Sequence, residues 1–133
     1  MTTEISSQPS AKNGLVLYIE DNPANMKLVQ VFLKSRTDYR LLSASDPMEG
    51  LALAKSEIPN LILLDINLPE MSGYEVMAEL QADASTAGIP VVALSANAMP
   101  KDVKKGVEAG FKSYLTKPVD LSLLKEHIER YIS

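Results

Sequence analysis

The sequence predicts an α/β domain, a parallel five-stranded sheet covered by helices on both faces. Three observations carry that expectation. Three short runs, Leu15-Val16-Leu17-Tyr18-Ile19, Leu61-Ile62-Leu63-Leu64 and Val91-Val92-Ala93-Leu94, are apolar at every position. Strands buried on both faces of a parallel sheet read this way. Segments with helical spacing lie between these runs. Strand and helix alternate along the chain, and that order closes as crossovers onto parallel neighbours.

Each element has its own warrant. Residues 1–14 carry Thr2, Thr3, Ser6, Ser7, Pro9, Ser10 and Gly14 without apolar periodicity, so they are expected to form a disordered leader or linker. Residues 15–133 are expected to form one domain. The first strand, Leu15–Ile19, ends in Glu20-Asp21. Asn22-Pro23 then joins a capping residue to a proline at the first helical position, and Met26, Val29, Phe32 and Leu33 follow at helical spacing. A weaker strand is expected over Tyr39–Ala44. Asp46-Pro47 repeats the cap pattern ahead of Met48, Leu51 and Leu53. The third strand ends in Asp65, and a helix with Val76, Met77 and Leu80 follows Gly73. The fourth strand ends in Ser95. A helix opening at Pro100 is expected to stop near Gly110, a glycine suited to a left-handed helix end. A short strand over Lys112–Thr116 leads to Lys117-Pro118, and Leu121, Leu124, Ile128 and Tyr131 form the stripe of the last helix.

Bulk properties narrow the function classes. A chain of 133 residues is one domain by length. Its formal net charge of −4 offers no basic footprint for nucleic acid. It holds no cysteine, hence no disulfide framework or zinc knuckle. No apolar stretch nears the ~20 residues that span a bilayer, and the polar N-terminus lacks the apolar core of a signal peptide. The expectation is a cytoplasmic protein with neither a nucleic-acid nor a membrane partner.

In open α/β sheets, ligands bind beyond the carboxyl ends of the strands. Four of the five expected strands end there in polar groups: Glu20-Asp21, Asp65, Ser95 and Lys117. Taken singly each has an ordinary explanation. Acids before a helix complement its dipole, and an aspartate at a strand end forms turns. Together they place three carboxylates, a hydroxyl and an ammonium on one rim. Two unit charges ~4 Å apart repel by about 4 kcal/mol at an effective dielectric of 20, so such a cluster calls for protons or a cation. Hard oxygen donors suit Mg²⁺, which keeps several waters. Asp21 and Asp65 are candidate ligands, with Glu20 acting directly or through a metal-bound water. Three negative charges then meet two from the ion and one from Lys117. A carboxylate could attack a phosphoryl group in such a neutralised site, with Lys117 and Ser95 stabilising the equatorial oxygens.

Four segments resemble the response regulator receiver family: Tyr18-Ile19-Glu20-Asp21-Asn22, Leu64-Asp65-Ile66-Asn67-Leu68-Pro69-Glu70-Met71-Ser72-Gly73, Leu94-Ser95-Ala96 and Tyr114-Leu115-Thr116-Lys117-Pro118. The resemblance spans essentially residues 15–132. It implies a flavodoxin-like (βα)5 doubly wound sheet in the order 2-1-3-4-5. It implies that Asp65 is the phosphoacceptor and that Glu20, Asp21, Asp65 and the Asn67 backbone carbonyl hold Mg²⁺, with Mn²⁺ as an alternative. Ser95 becomes the switch hydroxyl, Tyr114 the switch aromatic, and Lys117 the phosphoryl-binding lysine before a cis proline. The implied partners are a histidine kinase or histidine phosphotransfer protein and a downstream protein on the face of the fourth helix, fifth strand and fifth helix. Gly106 inside that fourth helix, weakening it by about 1 kcal/mol relative to alanine, marks a candidate moving part. Glu20 and Ser95 stand where Asp and Thr are commoner in the family. The stretches Glu20-Asp21-Asn22-Pro23-Ala24-Asn25 and Leu94-Ser95-Ala96-Asn97-Ala98-Met99 look most like receivers of hybrid sensor kinases.

Other readings compete. A phosphatase of the haloacid dehalogenase type expects a second aspartate where Asn67 stands. A flavodoxin-like cofactor module expects a Ser/Thr/Gly-rich phosphate loop after the first strand, where two acids stand. An interaction domain without chemistry would not need Asp65, Ser95 and Lys117 together. The expected protein is therefore a phosphoacceptor rather than an enzyme. Only one helix is expected after Pro118, which suits a stand-alone relay component or a piece of a hybrid kinase. His127, the single histidine, is read as a surface residue with no acid–base partner.

Overall fold

The computed structural model describes residues 14–96 and 99–132; the leader expected over 1–14 lies outside them except for Gly14. Five strands and five helices alternate among the described residues: β1 Leu15–Ile19, α1 Pro23–Arg36, β2 Arg40–Ala44, α2 Pro47–Glu57, β3 Leu61–Asp65, α3 Gly73–Ala82, β4 Val91–Ser95, α4 Pro100–Ala109, β5 Ser113–Thr116 and α5 Leu121–Ile132. All pairings are parallel, in the order β2-β1-β3-β4-β5. This is the flavodoxin-like doubly wound sheet that the resemblance implied.

The helix starts obey local chemistry. Asn22 Oδ1 accepts from the amides of Ala24 and Asn25, and Asp46 Oδ1 from that of Glu49. Ser72 and Glu75 form a reciprocal capping box. Asp120 Oδ1 accepts from the Leu123 amide at the start of α5. Met99 precedes α4 and makes no side-chain cap. Gly110 ends α4 with φ 104°, the left-handed turn expected there.

The pleat divides the core. Leu17, Ile19, Ile62, Leu64, Val91 and Ala93 pack with α2 and α3 through Leu51, Ala54, Val76, Met77 and Leu80. Val16, Tyr18, Leu61, Leu63, Val92, Leu94 and Leu115 pack with α1 and α5 through Val29, Leu33, Leu124 and Ile128. Side chains two apart in a strand share a face, so this division continues into the polar residues at the strand ends. Gly14 belongs to the folded body: it is buried, and its carbonyl accepts from the Arg40 amide. No helix among the described residues is long and apolar enough to cross a membrane.

Candidate phosphoacceptor site

The register brings the acids together. Tyr18 pairs with Leu63 and Ile19 with Leu64, so Glu20, the next residue along, stands beside Asp65. Tyr18, Glu20, Asp65 and Lys117 continue the parity of the α1/α5 face, whereas Ser95 and Tyr114 continue that of the α2–α4 face. One oxygen each from Glu20, Asp21 and Asp65 lie within 4.8 Å of one another. Glu20 and Asp65 are buried and Asp21 is exposed.

Lys117 Nζ bridges the two buried acids, 2.9 Å from Glu20 Oε1 and 3.1 Å from Asp65 Oδ2. Its peptide bond to Pro118 is cis, as the resemblance implied, and its amide donates to the Ser95 carbonyl at 2.8 Å. Glu20 collects further donors: the Tyr18 hydroxyl at 2.9 Å, the Asn22 amide at 3.2 Å and Asn25 Nδ2 at 3.5 Å. Asp65 Oδ1 accepts from the Asn67 amide at 3.0 Å, a turn that orients the carboxylate. Asn67 Oδ1 in turn meets the Ala96 amide at 3.5 Å, linking the loops after β3 and β4. Gly73 lets that loop close. A Cβ there would lie 2.7 Å from Ile66 Cα and 3.0 Å from the Asp65 carbonyl oxygen.

The two buried acids titrate in opposite directions. Burial pushes Glu20 up, but hydrogen bonds with Lys117, Tyr18, Asp65 and the Asn22 amide outweigh it, so Glu20 is held below its ordinary range. Burial dominates at Asp65; the Asn67 amide and Lys117 pull the other way, but burial together with the neighbouring Glu20 prevails, so its carboxyl is raised. Lys117 is raised as well: burial favours the neutral amine, but hydrogen bonds to Glu20 and Asp65 prevail. Burial, then the Glu20 charge, raise the Tyr18 phenol, which stays a donor.

The donor set fits a divalent ion. Three carboxylates and one ammonium sum to −2, and every side-chain ligand atom is a hard oxygen. The sequence matches the family model for the response regulator receiver domain over residues 16–129. The chain belongs to the response regulator receiver family. This receiver is 37% identical over 117 residues to the polar-differentiation response regulator DivK of Brucella ovis, covering 88% of this chain and 94% of DivK. It superposes with TM-score 0.82 and 31% identity on the receiver domain of the sensor histidine kinase PA1611 of Pseudomonas aeruginosa, solved with magnesium in its active-site cleft, over 90% of this chain and 98% of that one. The Mn²⁺-bound response regulator Rcp1 matches with TM-score 0.73 and 35% identity over 88% of this receiver and 90% of its own chain.

Two features escaped the sequence reading. Tyr18 counts as one more apolar position along its strand, yet its hydroxyl enters the site; the signal is its place two residues before Glu20. His127 departs from its expected role. It is half-buried, its Nδ1 lies 2.9 Å from Ser113 Oγ, and its ring stacks on Tyr131. The stripe that buries Leu124 and Ile128 turns His127 toward β5. Tyr114, expected as the switch aromatic, is half-buried under α4, where a Cβ on Gly106 would lie 2.5 Å from its ring.

Proposed function

We propose that this receiver takes a phosphoryl group onto Asp65 from a phosphohistidine on a histidine kinase or histidine phosphotransfer protein. One Asp65 oxygen bonds to phosphorus as the nitrogen–phosphorus bond breaks; the electron pair stays with the imidazole, which takes up a proton. Glu20, Asp21, Asp65 and the Asn67 carbonyl would hold Mg²⁺, or Mn²⁺ in its place. Bound there, the ion supplies positive charge against the phosphoryl oxygens. Lys117 moves from Asp65 to a phosphoryl oxygen, and the Ser95 hydroxyl donates to another. The chain thus acts as a signalling acceptor rather than an enzyme, in the cytoplasm, alone or within a hybrid kinase.

The observation that carries this reading is the ammonium of Lys117 between two buried carboxylates at 2.9 and 3.1 Å. A merely structural ion pair has no use for a third acid within 4.8 Å. The new charge pulls Ser95 toward the phosphoryl group and lets Tyr114 turn inward, which reshapes the face of α4, β5 and α5. Support for that output comes from α4. It lacks a side-chain cap, and Met99, just before it, joins Val103 and Val107 within it in facing solvent at four-residue spacing, beside the exposed Lys101 and Lys104. A downstream protein would dock there.

Incubation with Mg²⁺ and acetyl phosphate, read by intact mass, tests the proposal. One phosphoryl adduct is expected, absent in Asp65→Asn and after chelation. Lys117→Ala should retain Mg²⁺ binding and lose most of the response. An adduct that survives Asp65→Asn would remove Asp65 from its role.

A further inference from the structure

Glu20 is the most heavily bonded side chain of the site, and one of its donors comes from the core. The Tyr18 ring lies in the α1/α5 core with no exposure, and its hydroxyl reaches Glu20 Oε1 at 2.9 Å. The same oxygen receives Lys117 Nζ at 2.9 Å. Strand geometry makes this possible: residues 18 and 20 point to the same face, and the glutamate chain is long enough to double back to both donors. A buried phenol needs a polar partner. A flexible carboxylate at the end of a strand needs something to fix its rotamer. Each meets the other's requirement.

We propose that Tyr18 is a positioning residue for the phosphoryl-transfer step: its hydroxyl fixes Glu20 Oε1, and Glu20 thereby fixes Lys117 Nζ over Asp65 Oδ2. The inference rests on the phosphoacceptor reading above. Tyr18 touches neither phosphoryl group nor ion; it acts through the carboxylate. Oε1 collects the two short bonds from the Tyr18 hydroxyl and Lys117 Nζ and a long one of 3.5 Å from Asn25 Nδ2, whereas Oε2 takes the Asn22 amide at 3.2 Å. Tyr18 thus sets which oxygen of Glu20 serves Lys117. Without the hydroxyl, the carboxylate can turn, and the ammonium loses one of its two fixed anchors. Aspartate at position 20 would be one methylene shorter, so the proposed coupling depends on the glutamate.

The test is a double-mutant cycle of Tyr18→Phe and Glu20→Asp, with two readouts. The first is the phosphorylation rate with acetyl phosphate at saturating Mg²⁺. The second is the Lys117 side-chain ammonium resonance in metal-free protein, visible only when the group is held and slow to exchange. Tyr18→Phe should slow phosphorylation about tenfold, the size of one hydrogen bond to a charged group, and broaden the Lys117 resonance. In the Glu20→Asp background the same change should have almost no effect. An unaltered rate in Tyr18→Phe overturns the inference, as does an equal loss in both backgrounds, which would mean the hydroxyl acts on the core. If Tyr18→Phe does not fold, protein labelled with 3-fluorotyrosine keeps the hydroxyl. Its Tyr18 resonance must then shift on Glu20→Asp, and a fixed resonance overturns the inference. A wild-type chain that acquires no adduct would instead remove the phosphoacceptor reading on which the inference stands.

Discussion

His127 shows how much a single residue's role depends on its neighbours. The Tyr131 hydroxyl donates to the Lys112 carbonyl at 3.1 Å. Its only proton being spent, its oxygen must accept from Ser113 Oγ at 2.9 Å. Ser113 has then spent its proton as well and must accept from His127 Nδ1. The chain of bonds therefore runs from His127 to Ser113, Tyr131 and Lys112, with the imidazole proton on Nδ1. Burial first, then Arg130, lower the His127 pKa, against a smaller opposing pull from Glu126. The unfolded state thus binds the proton more readily than the folded one. Stability is fully present above the ordinary imidazole range of about 6.5 and falls as pH drops through it toward the depressed folded value. The melting temperature should decline between about pH 7.5 and about pH 5.5 more steeply in the wild type than in His127→Gln. Parallel declines in the two proteins would refute this assignment.

At the scale of the element, α4 differs from its neighbours. The other four helices each begin with a side-chain cap, and α4 does not. A cap is worth about 1 kcal/mol. Gly106 was expected simply to weaken the helix, but its position adds a second role. It lets α4 lie against the Tyr114 ring, where a Cβ would sit 2.5 and 3.0 Å from ring carbons. Beside this seat, Tyr74 meets Phe111 edge-on with centroids 5.9 Å apart and carries Lys105 Nζ 4.3 Å above its ring. Burial and the neighbouring Tyr114 hydroxyl push the Tyr74 phenol up to about 12. Gly106→Ala sets two effects against each other. The helix gains about 1 kcal/mol in propensity, and the seat loses roughly 1–3 kcal/mol to overpacking. The balance predicts a slightly less stable protein with Tyr114 displaced. Thermal melting and the Tyr114 side-chain resonances would show both; a more stable variant with an unmoved Tyr114 would mean the seat has slack.

For the whole molecule, the consequence of the site is electrostatic. Three acids and one lysine leave the rim two charges negative, and half of that cluster is out of water. The folded state carries this repulsion and the unfolded chain does not. A divalent ion that binds only the folded form stabilises it by mass action, about 2.7 kcal/mol at a hundredfold excess over the dissociation constant. For a domain of 133 residues that corresponds to a rise in melting temperature of roughly 10 °C. Calorimetry with and without Mg²⁺ should show such a rise, reversed by chelation and much reduced in Asp21→Asn. An equal rise in that variant would place the ion elsewhere.

Much of this was legible along the chain, because the relevant signals are local. Runs of unbroken apolar residues mark strands buried on both faces, and Asn22-Pro23 and Asp46-Pro47 mark helix starts. The acids, Ser95 and Lys117 fall at the last residue of a strand or within two residues after it. Strand order came only through the family resemblance; no short-range pattern carries it. Other features are set by contacts between residues far apart in sequence. The bond between Lys117 and Glu20 spans 97 residues. The approach of α4 to Tyr114 and the turning of His127 toward Ser113 depend on which elements become neighbours. Propensity and periodicity act over a few residues, whereas pleat parity and register act across the sheet. The sequence therefore determined which groups reach the rim, and only the packed sheet decided which of them share a hydrogen bond.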